Sequence, residues 1–376
     1  MTDKPKDRRI NLFRIAGLRQ NSPRTYFTEH EVIAECHFSG IAQFKNIEFR
    51  PWSSDDGIEP GDRRLYFLRF PGRIWGAGGP DILEDMEHGF HSGISDREEF
   101  VVLASVFLRR RLMLGATTKT GESPMRQERQ TKIYQELTEK GPNLTLLPKF
   151  LQKVERLEHD DQHAFLLSSR YYHLGLSLSD QDPELAYLSH VSALEVLAHG
   201  LKTELDPEEV IDPELFDAVR SIPDGEVRQK TIVLLAETGK AGAFFRRLIT
   251  SLTADSFFRT DLVHWKGVIN RDNLDCVAKN IYQVRSKALH QGEPFPDRLI
   301  GNRTSELEEF PIGILQHQGK GKPLGKDMQG DPCKNPKRIP NLPAFERLTN
   351  HILLQFVETR TKKRKRAQVP TRAPSL

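Results

Sequence analysis

The apolar positions of the chain change their period once. From Thr25 to Phe70 they alternate with polar residues or run in short blocks, whereas from Asp160 onward they recur every three or four places. The first texture predicts strands over Val32–Phe38, Gln43–Phe49 and Leu65–Phe70, with turns at Asp55-Asp56-Gly57 and Pro60-Gly61-Asp62 between them. Pro71-Gly72 and Gly76-Ala77-Gly78-Gly79-Pro80 break both strand and helix and close this β-rich unit. Residues 1–20 are basic and weakly patterned and read as a loosely held arm.

Helices follow. Ser95 or Asp96 is a fair N-cap, acidic residues fill the next turn, and Arg109-Arg110-Arg111 fall near the C-terminal end, as the helix dipole prefers. Gly115 to Pro124 reads as a polar linker, and Thr131–Lys140 and Lys149–Leu157 as short helices. Ala164, Leu167, Tyr171, Leu174 and Leu178 line one face of a first long helix. Asp182-Pro183-Glu184 starts a second, which runs through Leu188, Val191, Leu194 and Leu197 to Gly200. Residues 205–225 are an acidic connection with one short helix, and Glu226–Glu237 and Ala241–Leu252 read as two amphipathic helices. Asn273–His290 forms another, with Val277, Ile281, Val284 and Ala288 as its apolar stripe and Gly292 as a left-handed stop. Residues 293–342 lack periodicity and read as an irregular insertion before a last helix, Leu342–Thr361, whose apolar positions are Phe345, Leu348, Ile352, Leu353 and Phe356. No internal repeat is visible.

The expected fold is therefore mainly α, with a smaller β-rich N-terminal domain over residues 1–95. A helical connection and linker covers 96–143, a helical domain 144–361, and a basic tail 362–376.

Composition narrows the picture. Charged residues make up 28% and hydrophobic residues 37% of 376 positions, as expected of a soluble protein with a sizeable core. The net charge of +3 does not by itself announce a nucleic-acid binder. Basic residues do cluster at Arg109–Arg111 and Lys362–Arg366; solvated helix edge and tail is the plain reading, a phosphate-facing role the other. Cys36, Cys276 and Cys333 stand far apart, so neither a disulfide framework nor a zinc knuckle is expected, and a reducing cytoplasm is the default. Met1–Arg9 lacks the apolar stretch of a signal peptide, and the longest apolar run, Phe100–Leu108, is too short to span a bilayer.

Chemistry has few footholds. Gly115 to Gly121 lacks the Gly-Lys-Ser/Thr ending of a phosphate-binding loop. His88 and His91 have no evident third ligand, and Trp75 with the glycines after it reads as a plugged turn. No metal or cofactor is expected. Arg259 and His264 lie five apart, but outside a clear helical stripe and with Asp261 as a mundane partner. Arg285 and His290 have the same spacing within a helix, beside its buried stripe and near its end, with no carboxylate four residues away. A guanidinium and an imidazole that titrates near neutrality are suited to cutting a phosphodiester. Arg170 and Glu195 fall near the apolar faces of the first two long helices; a structural ion pair, with each other or with Arg285, is the plain reading, and support of a site the other.

The block Tyr282-Gln283-Val284-Arg285-Ser286-Lys287-Ala288-Leu289-His290-Gln291-Gly292 resembles the closing motif of HEPN domains, in particular the Apea-like HEPN family. The helix with Ala193-Leu194-Glu195 embedded in it, and the Arg170-Tyr171-Tyr172 helix before it, are similar to the preceding helices of that family. The resemblance covers residues 144–361 apart from the insertion. It implies a helical bundle that dimerises to bring two Arg/His sets into one cleft. Many members are metal-independent RNases in defence or toxin roles; others are inactive binding modules. Carried over, Arg285 and His290 match the catalytic pair, and Ser286 the polar position after the arginine, where active members often carry Asn, Asp or His. Glu195 and Arg170 become supporting residues. The reading is an endoribonuclease acting on RNA, a cytoplasmic homodimer with a possible regulatory protein partner and no membrane association. The alternatives are an inactive HEPN module that binds RNA or a protein, and an unrelated helical interaction protein.

Overall fold

The computed structural model describes residues 25–34, 38–45, 47–51, 65–73, 95–117, 143–200, 205–258, 269–296, 299, 328 and 330–367. The architecture is mainly α with a small antiparallel sheet near the N-terminus. The chain divides into two compact units: Met1–Ser177, Phe310–Lys322 and Leu353–Leu376 form one, Leu178–Glu309 and Pro323–Ile352 the other. The predicted arm over residues 1–20 and the predicted helix Thr131–Lys140 lie outside the described residues.

In the first unit, β1 (Thr25–Ala34), β2 (Ala42–Phe44), β3 (Ile47–Pro51), β4 (Leu65–Arg73) and β5 (Leu112–Thr117) form one sheet in the order β2-β3-β4-β1-β5. Every pairing is antiparallel; Val32 lies opposite Tyr66 on one side and Leu114 on the other, and Phe49 opposite Leu68. The two-residue period of a strand puts Ile47 and Phe49 in the core and Glu48 and Arg50 at its edge. Helix α1 (Asp96–Leu108) packs there, with Phe100 edge-on to Phe49 at 5.7 Å between ring centres. Its start is a capping box: Ser95 Oγ accepts from the Glu98 amide, and the Glu98 carboxylate accepts from the Ser95 amide.

Three expectations change in this unit. The strand predicted over Gln43–Phe49 is a hairpin, since Lys45 takes a left-handed backbone (φ 54°) between β2 and β3. Gly115, predicted to open a linker, lies inside β5, where a Cβ would meet Glu31 at 3.0 Å. Arg109-Arg110-Arg111 is not a solvated edge: α1 ends at Arg109 in a left-handed cap, and the three residues are only 5%, 5% and 6% exposed. Arg111 Nη1 donates to the Ser177 carbonyl at 3.5 Å, and Arg110 Nη1 to the Arg109 carbonyl at 2.8 Å. Local charge predicted solvent, but chain reversal into β5, whose first residue Leu112 is fully buried, carries these stems inward.

Helices α2 (Leu147–Glu155) and α3 (His159–Leu178) join the same unit, where Phe165 lies edge-on to Phe150 and stacks on Phe356. The buried face of α3 is not the predicted one. Gln162, Phe165, Ser169, Tyr172 and Leu176 are covered, while Leu174 is 45% exposed. Small and hydroxyl-bearing positions hide that face from a hydropathy pattern; Ser169 Oγ satisfies itself on the Phe165 carbonyl at 2.7 Å.

The second unit holds α4 (Pro183–His199), α5 (Pro207–Val210), α6 (Pro213–Arg220), α7 (Gly225–Leu252), α8 (Asp255–Phe258), α9 (Leu274–Gln291) and the start of α10 (Leu342–Ala367). Asp182 caps α4 by accepting from the Leu185 amide at 3.0 Å, and Val191, Leu194 and Leu197 are fully buried as expected. Tyr187 stacks on Phe345 at 4.4 Å. Residues 205–225 contain two short helices rather than one. The two helices predicted over 226–252 are one continuous helix of 28 residues that packs on α4 and α9. Two glycines in its middle are close approaches, not breaks: a Cβ on Gly239 would sit 2.8 Å from Val210 and one on Gly242 3.0 Å from the Tyr282 ring. Helix α10 continues through Ala367, past the predicted end at Thr361 and into the basic run.

Helix α9 buries Val277, Ile281 and Val284 and ends at Gly292 in the left-handed conformation (φ 66°), as its sequence predicts. One tie was not expected. Cys276 in its first turn forms a disulfide with Cys333, their Cα atoms 5.2 Å apart. A separation of 57 residues conceals this pairing from any reading of local spacing. Most of the predicted insertion lies outside the described residues; its end, 330–341, lies along α9 with Pro332, Ile339 and Pro340 buried.

Candidate active site

Helices α4 and α9 bring Glu195 and Arg285 together. The Arg285 Nη2 donates to Glu195 Oε2 at 2.8 Å, and both side chains are about one-fifth exposed or less (21% and 16%). Two sequence rules place them. Glu195 follows the fully buried Leu194 at the edge of the α4 core face, and Arg285 follows Val284 at the edge of the α9 stripe. Two flanking side chains therefore converge where the helices touch.

Burial pushes the Glu195 carboxyl above its usual range, while Arg285, and more weakly His199, pull it back. The Tyr282 phenol is raised first by burial and then by the Glu195 charge, with Arg285 opposing. The Arg285 guanidinium carbon lies 6.0 Å from the centre of the Tyr282 ring, a cation–π distance. Arg285 Nε is buried and has no hydrogen-bond partner among the described residues. The guanidinium thus spends one amino group on Glu195 and keeps other donors uncommitted.

His290 lies in the last turn of α9 and is exposed; Ser286, the residue after Arg285, is half-buried. Five helical residues between Arg285 and His290 amount to roughly 140° of rotation and about 7.5 Å of rise. Arg170 lies on α3. It belongs to the first unit, where it faces Glu99 of α1. Burial raises the Glu99 carboxyl to about 8, neighbouring Asp96 adds to the shift, and Arg170 opposes it.

Sequence reading missed Tyr282 and His199. Each had a signal: Tyr282 is three residues before Arg285 and His199 four after Glu195, the spacings that share a helix face. The pairs Arg259/His264 and His88/His91, and Trp75, lie outside the described residues. Among the described residues no group of three or more His, Cys, Asp and Glu is placed to hold a metal, and no helix is long and apolar enough to cross a membrane.

Chemically, α9 offers an anion-attracting guanidinium held by Glu195 and, in its last turn, an exposed imidazole. In comparison with known proteins, the chain matches no family model, no curated protein and no solved structure.

Proposed function

We propose that the chain is a metal-independent endoribonuclease of the HEPN type, acting on RNA as a cytoplasmic homodimer, with a role in defence or toxin-like RNA cleavage and scope for a regulatory protein partner. The observation that supports this reading is that one helix carries both an Arg285 positioned by Glu195 and, in its last turn, an exposed His290. In the proposed step, one His290 takes the proton of a ribose 2′-hydroxyl. That oxygen attacks the adjacent phosphorus, and the bond from phosphorus to the 5′-oxygen breaks. A second His290, from the other copy, protonates the departing oxygen, leaving a 2′,3′-cyclic phosphate and a 5′-hydroxyl. Arg285 stabilises the charge on the non-bridging phosphorane oxygens through its uncommitted N–H groups. Ser286 offers a hydroxyl to the same phosphate; Glu195 orients Arg285.

The test is incubation of purified protein with labelled RNA in the presence of EDTA, beside Arg285→Ala and His290→Ala. Cleavage by the wild type and its loss in both folded variants is expected; full cleavage by folded His290→Ala would overturn the mechanism.

One observation favours a second reading, an inactive HEPN module that binds RNA or a protein. The Glu195 carboxylate already partners Arg285, and a neutralised guanidinium attracts a phosphodiester less strongly. That reading predicts RNA retention without cleavage.

A further inference from the structure

We propose that Cys276 and Cys333 form a reversible exchange site for small thiols and disulfides of the glutathione class, with Asn280 as the residue that positions the two sulfurs.

Three observations carry this. The two cysteines are already paired, and they differ in access: Cys333 is exposed in the turn over residues 331–334, whereas Cys276 is half-buried in the first turn of α9. An incoming thiolate therefore reaches the sulfur of Cys333 first. The segment that carries Cys333 is also held to α9 by something other than the disulfide. Asn280, one helical turn beyond Cys276 and 3% exposed, donates its amide to the carbonyls of Pro332 (2.9 Å), Asn335 (3.1 Å) and Arg338 (2.9 Å). An amide NH2 has two hydrogens, so three carbonyls share them and converge on one point. Those carbonyls bracket Cys333. Its own amide donates to Asp331 Oδ1 at 3.0 Å, which fixes the turn locally.

A pair of thiols kept adjacent by a separate grip has a high effective concentration and closes again readily once opened. The exchange balances as follows. A small thiolate attacks the Cys333 sulfur, forms a mixed disulfide there and expels the Cys276 thiolate. That thiolate sits in the first turn of a helix, where the dipole favours negative charge. A second small thiolate attacks the sulfur of the bound thiol, releases the small-molecule disulfide and leaves Cys333 as thiolate. Both protein thiolates take up the protons that the two small thiols gave up. The reverse sequence, driven by the small-molecule disulfide, closes the pair.

The grip and the bond are linked: whatever Asn280 contributes to adjacency also opposes reduction. The test uses the full chain carrying Cys36→Ser, equilibrated with graded mixtures of reduced and oxidised glutathione, quenched with acid, alkylated and weighed. One reversible transition between closed and open pair is expected. In Asn280→Ala the midpoint shifts about tenfold toward easier reduction, the scale of one buried hydrogen-bonding group. Cys276→Ser should carry glutathione on Cys333, several-fold more than Cys333→Ser carries on Cys276. A pair that stays in one state at every ratio, or equal glutathione loading of the two single variants, overturns the proposal. So does an unshifted midpoint in folded Asn280→Ala. Should Asn280→Ala fail to fold, the loading comparison decides alone.

Discussion

Glu195 of α4 and Arg285 of α9 are 90 residues apart in the chain and 2.8 Å apart in the fold. The contact joins two helices at the edges of their core faces, and it leaves the arginine with donors to spare. Removing one member of a half-buried pair leaves the other charge poorly solvated. Glu195→Ala should therefore cost about 1–3 kcal/mol in urea unfolding. Glu195→Ala combined with Arg285→Ala should cost less than the two single losses added together. Strict additivity would show that the pair is not coupled.

His290 should behave differently. Its side chain is exposed, so His290→Ala is expected to change stability by less than about 0.5 kcal/mol. Under the proposed mechanism the same change lowers RNA cleavage by a factor of about 10² to 10⁴. Urea unfolding and a cleavage time course on the same preparation check both halves.

Gly239 and Gly225 make opposite predictions on one helix. Alanine is ordinarily the better helix former by about 1 kcal/mol. At Gly239 its methyl group would press on both the side chain and the carbonyl of Val210, at 2.8 and 3.1 Å. Gly239→Ala should lower the thermal midpoint, with a net loss of about 1–3 kcal/mol. At Gly225 the nearest atom is the Arg228 guanidinium at 3.8 Å, and Gly225→Ala should be neutral or mildly stabilising.

Opening the disulfide should weaken the second unit. A closed loop of 57 residues restricts the unfolded chain by about 4 kcal/mol on a chain-entropy estimate. A strong reductant, or Cys333→Ser, should lower the unfolding midpoint of that unit without loss of helix at 20 °C. Circular dichroism with and without reductant reads both.

Two groups in the first unit give stability opposite dependences on pH. Glu99 holds its proton up to about pH 8 when folded but only to about 4.5 when unfolded, so its contribution falls as pH rises through that window. His173 is lowered to about 4 by burial and by Arg111, so the folded state resists its protonation, and stability falls as pH drops from 6.5 toward 4. The two slopes oppose each other between about pH 4.5 and 6.5, so Glu99→Gln should remove the fall between about 6.5 and 8 and uncover the His173 rise below it. Denaturant titrations between pH 4 and pH 9 test this.

Much of the helical architecture was legible because α4, α9 and α10 carry period-3.6 stripes of large aliphatic and aromatic residues, and α4 and α9 stop at Gly200 and Gly292. The face of α3 was not, because Gln162, Ser168, Ser169 and Gly175 are buried there while Leu174 is exposed. Continuity of α7 was hidden by Gly239 and Gly242, whose reason for being glycine is a neighbour distant in sequence. Of the candidate site, Arg285 and His290 could be singled out from one helix. That Glu195 meets Arg285 while Arg170 faces Glu99 depends on which helix faces touch, and no local pattern carries that information.

The cross-link between Cys276 and Cys333 makes a covalent ring of everything between them, Arg285 and His290 included. A single protease cut inside that ring leaves two fragments that migrate as one under non-reducing conditions and separate only after reductant is added. The backbone bearing the arginine and histidine can thus be severed without being shed.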